Sequence, residues 1–256
     1  MRRAAQRGRH TDERLIAMTL HGTRVVVLGG TAGIGLATAR AVAAEGAQVV
    51  VVSSSKIRVD RALAELPAGT AGHAVDLTDE QAVASLFADL GEFDHLVYTA
   101  GDSLNLGELA TLDLHAARAA LDVRLWGAIT AVKHAHPRLR PGGSITLTTG
   151  AAGRRPGPGW SVVASGCGAI ESLTRALAVE LAPIRVNAVM PGLVRTDLWV
   201  PVVGPDPTSL YDETGRGLPV GRVGEPDEIA AAYLYLMRAG FSTGAVVELD
   251  GGHTLA

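Results

Sequence analysis

A single cysteine, Cys167, leaves the chain without a partner for an internal disulfide. No secretory leader or long uninterrupted apolar run is visible, so the expected setting is a reducing cytoplasm rather than a membrane or an exported compartment. Charge of one sign is also lacking: 23 Lys and Arg face 26 Asp and Glu, for a net charge of −3. That balance, with a pI of about 6.2, excludes the basic footprint expected of a nucleic-acid binder or of a protein held on anionic lipid. The eight histidines form no group with metal-ligand spacing. His134 and His136 are two apart in a helical stretch and point to different faces, so no metal site is expected. Lysine is scarcer than in most proteins, with only Lys56 and Lys133.

What is present suits one α/β unit. The chain has 256 residues, 47% of them hydrophobic, enough to bury one large core. The first 18 residues stand apart, with five arginines and no apolar period. They read as a targeting arm, an anion-binding tail or a solvated extension, and charge patterning favours the last. The main unit is therefore placed at residues 19–256.

Through that unit, short β-branched runs alternate with helical stretches. "TRVVVLGG", "AQVVVVSS", "FDHLVYTAG", "GGSITLTTG", "IRVNAVMPG" and "GAVVELDGG" read as strands. Helices are expected at about Gly33 to Glu45, Ala116 to His136 and Ser161 to Glu180. Continuous rather than alternating hydrophobicity means burial on both faces, which predicts a doubly wound parallel sheet covered by helices. Ligands then gather at the carboxyl ends of the strands. Residues 195–225, rich in Pro, Gly and Asp, are too long for a plain connection and read as an irregular flap over a substrate pocket. Its Trp199, Tyr211 and Asp212 either line that pocket or hold the flap closed.

Between the first strand and its helix lies "LGGTAGIGLATA". Gly29, Gly33 and Gly35, with Thr31 and Ile34, form a loop that lets backbone approach a pyrophosphate at a helix N-terminus. The second strand ends in Ser53, Ser54, Ser55 and Lys56, hydroxyls and a cation with no acid. An acid there would bind both ribose hydroxyls and repel a 2′-phosphate, so its absence favours NADP(H) over NAD(H). Asp76, after the third strand, either accepts from an adenine amino group or belongs to a helix cap.

The order of these segments resembles the short-chain dehydrogenase/reductase family over about Thr19 to Leu255. Gly29-x3-Gly33-Ile34-Gly35 resembles its cofactor loop, Asp76-Leu77 its adenine contact, and Ala100-Gly101 the end of its Asn-Asn-Ala-Gly turn. Pro191-Gly192, Val194 and Thr196 resemble the loop under the nicotinamide. The resemblance implies a nicotinamide cofactor and a small-molecule substrate. It also implies a homodimer or homotetramer built on long helices such as Ser161 to Glu180, or pairing with an active relative.

It further implies an Asn, Ser, Tyr and Lys that carry out general acid–base catalysis. Laid onto this chain, those positions read Arg124, Gly150, Val163 and Cys167. The residues four before the two lysines are Val52 and Ile129, so no Tyr-x3-Lys occurs anywhere. Candidate substitutes are Arg124 as a fixed cation, Thr149 as a hydroxyl, Cys167 as a thiolate or a small apolar residue, and Asp102 as a base or a turn residue. Tyr98, in place of an asparagine, is expected near the adenosine. Ser161 and Ser165 should face away from the site. Three readings stay open: a divergent oxidoreductase, a non-redox enzyme such as a cyclase, dehydratase or isomerase, and a silent nucleotide-binding subunit.

Overall fold

Three consecutive valines and the leucine after them build the centre of the sheet. In the computed structural model, which describes residues 19–101, 104 and 106–256, Val25, Val26, Val27 and Leu28 are wholly inaccessible to solvent. They belong to β1 (Arg24–Leu28), which pairs in parallel with β2 (Gln48–Ser53) on one side and β4 (Phe93–Tyr98) on the other. β3 (Ala71–Ala74), β5 (Leu139–Thr148), β6 (Arg185–Pro191) and β7 (Val246–Leu249) complete a parallel sheet in the order β3-β2-β1-β4-β5-β6-β7. Strand order reverses between β1 and β4, so a crevice opens at their carboxyl ends, where such folds bind ligands.

Helices cover both faces. α1 (Gly33–Ala44), α2 (Lys56–Glu65), α3 (Glu80–Leu90), α4 (Leu114–Leu121), α5 (Gly127–Ala135) and α6 (Ser161–Glu180) follow their strands in turn. The stretch expected as one helix at 116–136 is broken. Between α4 and α5, Asp122–Trp126 forms a wider π turn, in which the Gly127 amide donates to the Asp122 carbonyl. The segment expected to be irregular, 195–225, instead contains α7 (Val200–Val203) and α8 (Thr208–Gly217) and leads into α9 (Pro226–Arg238). Pro201 and Pro207 sit at or just before helix starts, where the missing amide costs nothing. No long apolar run was expected, yet by length and composition α6 could cross a bilayer. It packs against the sheet through Gly166, Ile170, Thr174 and Ala178.

A polar pair is buried where β4 meets β5. His95 Nδ1 lies 2.9 Å from Ser144 Oγ, and both side chains are shielded from water. Burial, aided by the Arg185 charge and opposed by Asp94, lowers the His95 pKa from 6.5 to about 4. The unfolded chain therefore takes up a proton below about pH 6.5 that the folded chain refuses until about pH 4. Stability is unaffected above that window and falls as pH drops through it, by roughly 3 kcal/mol in all. Urea unfolding midpoints should decline between pH 6.5 and 4.5, and His95→Asn should flatten that slope. A wild-type midpoint that stays level over this range would refute the assignment.

Candidate active site

The crevice begins with the glycine loop. Gly29 has φ +85°, a backbone that L side chains rarely adopt, and a Cβ there would lie 2.6 Å from the Ala100 amide nitrogen. At Gly35 a Cβ would lie 2.2 Å from the Gly29 carbonyl and 2.5 Å from Thr99 Oγ1. These two glycines clamp α1 onto the ends of β1 and β4. The helix start is left open: its N-cap is Ala32, with no side-chain cap hydrogen bond. First-turn amides without a side-chain acceptor, at the positive end of a helix, are the donor set an anionic phosphate requires. Thr31 and Ile34 lie within this loop, half-buried. The residues present fit a dinucleotide.

At the end of β2 the serine run is partly occupied with its own helix. Ser53 is buried, and Ser55 Oγ caps α2 by accepting from the Arg58 amide at 3.4 Å. Lys56, expected as the cation here, turns instead to its neighbour Asp60 at the surface. The cation beside the serines is Arg58, whose Nη2 donates to Ser54 Oγ at 3.3 Å. The sequence reading missed it. An arginine four residues after a serine, in the first turn of the helix, is the signal that would have found it.

Asp76 accepts from the Thr78 amide and hydroxyl at 2.9 and 2.8 Å, while Asp79 caps α3. Asp76 is exposed and Leu77 beside it is buried. Pro191 ends β6. Gly192 follows so close to Asp250 that a Cβ would lie 2.7 Å from its Cα. Val194 is buried and bridges to Gly224. Thr196 reaches back to the glycine loop, its methyl 3.1 Å from where a Gly33 Cβ would stand.

Beside this cradle is a cavity of about 60 Å³, lined among others by Ala100, Arg124, Thr149, Val163 and Cys167. Four chain segments thus bring together the positions singled out in the sequence. Arg124 leaves the π turn and lays its guanidinium against Gly101, where a Cβ would lie 2.7 Å from Cζ. Thr149 does not aim its proton into the cavity: its hydroxyl donates to the Cys167 carbonyl at 2.9 Å. Burial raises the Cys167 pKa, against weaker pulls from the Thr149 hydroxyl, Arg124 and the Gly153 amide. Burial thus favours the protonated thiol, and Cys167 stands in the cavity wall as a small group. Gly150 leaves room for that sulfur, 3.3 Å from where its Cβ would be. Ser161 and Ser165 are exposed, facing away. Asp102 and residues 1–18 lie outside the described residues. Among the described residues no group of His, Cys, Asp or Glu could hold a metal ion.

The segment expected as a flap is anchored to the body of the protein. Trp199 and Tyr211 are buried, with Trp199 packed 6.3 Å from Trp160 at the start of α6. Tyr211 Oη donates to the Thr196 carbonyl at 3.0 Å, and the Arg195 guanidinium covers the Tyr211 ring at 4.5 Å. These residues hold the flap down, and Asp212 is at the surface. A second, more open hollow of about 370 Å³ lies beside α8, lined by Arg155, Trp160, Glu213, Leu218 and His253 among others.

A glycine-clamped crevice at the reversal point of a parallel sheet, with a helix start open to phosphate, defines a nucleotide-binding protein of the doubly wound α/β class. The chain belongs to the short-chain dehydrogenase/reductase family. Residues 29–254 match the family described as Enoyl-(Acyl carrier protein) reductase. It is 36% identical to the short-chain dehydrogenase/reductase ATR9 of Stachybotrys chlorohalonatus, over 91% of this chain and 98% of that one. Among solved structures it is similar to a small-chain dehydrogenase in complex with NADPH, with 38% identity, TM-score 0.81 and coverage of 92% and 100%. It is also similar to the MalC Reductase/Diels-Alderase of Malbranchea aurantiaca, with 32% identity, TM-score 0.85 and coverage of 93% and 98%.

Proposed function

We propose that this chain is an NADP(H)-dependent oxidoreductase whose active site stabilises negative charge on the substrate and supplies no proton of its own. One observation carries this reading: the cavity beside the glycine cradle is walled by Arg124, Val163 and Cys167, in a chain that holds no Tyr-x3-Lys at all. NADPH, when bound, supplies a hydride at its nicotinamide ring. The rest is the work of the chain. Gly29, Thr31, Gly33, Ile34 and Gly35, with the open start of α1, hold the pyrophosphate. Ser53, Ser54, Ser55 and Arg58 receive the 2′-phosphate, and Asp76 and Leu77 border the adenine. Ala100, Gly101, Pro191, Gly192, Val194 and Thr196 border the nicotinamide.

Arg124 is permanently cationic and a poor proton donor. In a cavity walled by apolar groups its charge acts at low dielectric on an oxygen that becomes negative. Substrates suited to this are activated acceptors: quinones and enones, whose reduced form is a delocalised anion, and 1,2-diketones, whose second carbonyl lowers the basicity of the alkoxide formed. Protonation then follows in water after release. Losing a general acid costs about 10²–10⁴ in rate, which such activated substrates tolerate. The hollow beside α8, of about 370 Å³, is large enough to seat the body of a small substrate. The two activities in the name of the MalC Reductase/Diels-Alderase favour a second reading in which ring formation takes place in the same pocket. Self-association as a dimer or tetramer through α6, whose Val179 is largely exposed, belongs to the same proposal.

Two measurements test it. NADPH fluorescence titration must show saturable binding, and a quinone, diketone and enone panel must show NADPH oxidation. A chain that retains no nicotinamide dinucleotide at millimolar concentration is not this enzyme. The 2′-phosphate assignment has its own test. A charge-assisted bond to phosphate contributes about 1.5–3 kcal/mol, so Arg58→Ala should weaken NADPH binding about 10- to 100-fold and leave NADH affinity unchanged. Equal losses for both nucleotides would remove Arg58 from the site.

A further inference from the structure

We infer that Tyr98 is a positioning residue, a lock on the π turn that aims Arg124. The inference rests on the reading of Arg124 as the catalytic cation, and three observations carry it. First, Arg124 lies in the middle of the π turn Asp122–Trp126 that interrupts two α-helices. A widened turn of this kind is rare and concentrates at functional sites, and in it the direction of each side chain departs from the helical one. Second, the Tyr98 hydroxyl donates to the carbonyl of Val123, the residue immediately before Arg124. Third, Gly127 closes the turn at the point where Tyr98 arrives. A Cβ on Gly127 would lie 2.6 Å from Tyr98 Oη, and 3.3 Å from the Asp122 and Leu77 carbonyls. Only a residue without a side chain admits the hydroxyl.

Tyr98 is itself held rigidly. It is 2% exposed at the end of β4, and its carbonyl accepts from Thr148 Oγ1 at 2.6 Å. Thr148 Oγ1 in turn meets the hydroxyl of the fully buried Tyr233 at 2.6 Å. A chain of hydrogen bonds thus runs from α9 across the ends of β5 and β4 to the turn beneath Arg124. The tyrosine ring fills core volume, but a phenylalanine would do that equally well. The hydroxyl donates to the backbone that carries the guanidinium. A displacement of about 1 Å in a catalytic group costs up to about 10²-fold, so a small anchor has a large lever.

The test uses Tyr98→Phe in the full chain, which keeps the ring and removes only the donor. In hydrogen exchange, amides of residues 122–127 should exchange about 2- to 10-fold faster, the effect of one lost hydrogen bond. Amides of the glycine loop, residues 29–36, should be unchanged, and NADPH affinity with them. Gly127→Ala, which expels the hydroxyl, should give the same signature, and adding it to Tyr98→Phe should give little more. On a panel substrate, Tyr98→Phe should lower kcat about 10- to 100-fold with little change in KM. Combined with Arg124→Ala it should lower kcat no further, because it acts only through that residue. Unchanged exchange at 122–127 in Tyr98→Phe overturns the lock. A full additional loss of kcat in the Arg124→Ala background also overturns it, by showing that the hydroxyl acts elsewhere. If Arg124→Ala alone leaves kcat unchanged, the reading of Arg124 falls, while the exchange result still decides whether Tyr98 holds the turn.

Discussion

Arg124→Ala should lower turnover of quinone and diketone substrates by about 10²–10³-fold, the usual effect of removing one group that stabilises developing negative charge. NADPH affinity should stay within about threefold, because the assigned dinucleotide contacts come from the glycine loop, Arg58 and the loop after β6 rather than from the π turn. The size of the effect follows from the cavity. Its walls include Val163, Cys167 and Ile170, and the Cys167 thiol is kept neutral by burial. Thr149 spends its proton on the Cys167 carbonyl. In such surroundings a guanidinium is screened far less than at the surface. Arg124→Lys keeps the charge but loses the planar fork and should recover only part of the rate. Steady-state kinetics paired with a fluorescence titration decides the matter, and wild-type turnover in the alanine variant would remove Arg124 from the mechanism.

The second large effect is expected at Gly35. A Cβ there would lie 2.2 Å from the Gly29 carbonyl and 2.5 Å from Thr99 Oγ1, and neither neighbour is the free end of a flexible side chain. Thr99 is fixed, with its amide and hydroxyl both donating to the Leu28 carbonyl at 2.8 and 3.0 Å. Gly35→Ala must therefore push α1 away from the strand ends. Overpacking of this kind costs roughly 1–3 kcal/mol or more, a fall of about 2–12 °C in Tm for a chain of this length. Moving the helix start also opens the phosphate cradle, so NADPH binding should be lost outright. Gly168→Ala is the control: nothing lies within 4 Å of the added carbon, and alanine is the better helix former by about 0.5–1 kcal/mol. Calorimetry on the two variants, with and without NADPH, separates a special glycine from an ordinary one. A Gly35→Ala chain as stable as its parent would show that the clamp is loose.

The periodicity of the chain reveals much of this architecture, because burial on both faces leaves its mark on every strand. The runs around Val25–Leu28 and Val49–Val52 admit no other reading. α6 was placed at Ser161–Glu180 from its apolar character and observed over the same residues. The π turn was not legible. Nothing in "LDVRLWGAI" distinguishes a widened turn from a continuous helix, since the cause lies 25 residues upstream in the Tyr98 hydroxyl and its bond to Val123. The bond from Tyr98 to the turn that carries Arg124 was likewise hidden, since only the fold brings residue 98 against residue 123. α8 was hidden by composition: "TSLYDETGRG" carries few apolar residues, and its helix is held by Tyr211 and Gly215 buried against the body of the protein. Arg58 carried a weak signal, its four-residue spacing from Ser54, masked by Lys56 nearer the strand end; the fold turns Lys56 to Asp60 and Arg58 to Ser54.

The open start of α1 carries one further consequence. With Ala32 where a serine or aspartate would ordinarily close the helix, the polypeptide leaves the completion of its own secondary structure to whatever anion settles there. Folding and occupancy are then joined by mass action: a ligand at a hundred times its dissociation constant adds about 2.7 kcal/mol to the folded state. Cellular lifetime of the chain would rise and fall with the nucleotide pool, much as a door without a latch stays shut only while someone leans on it.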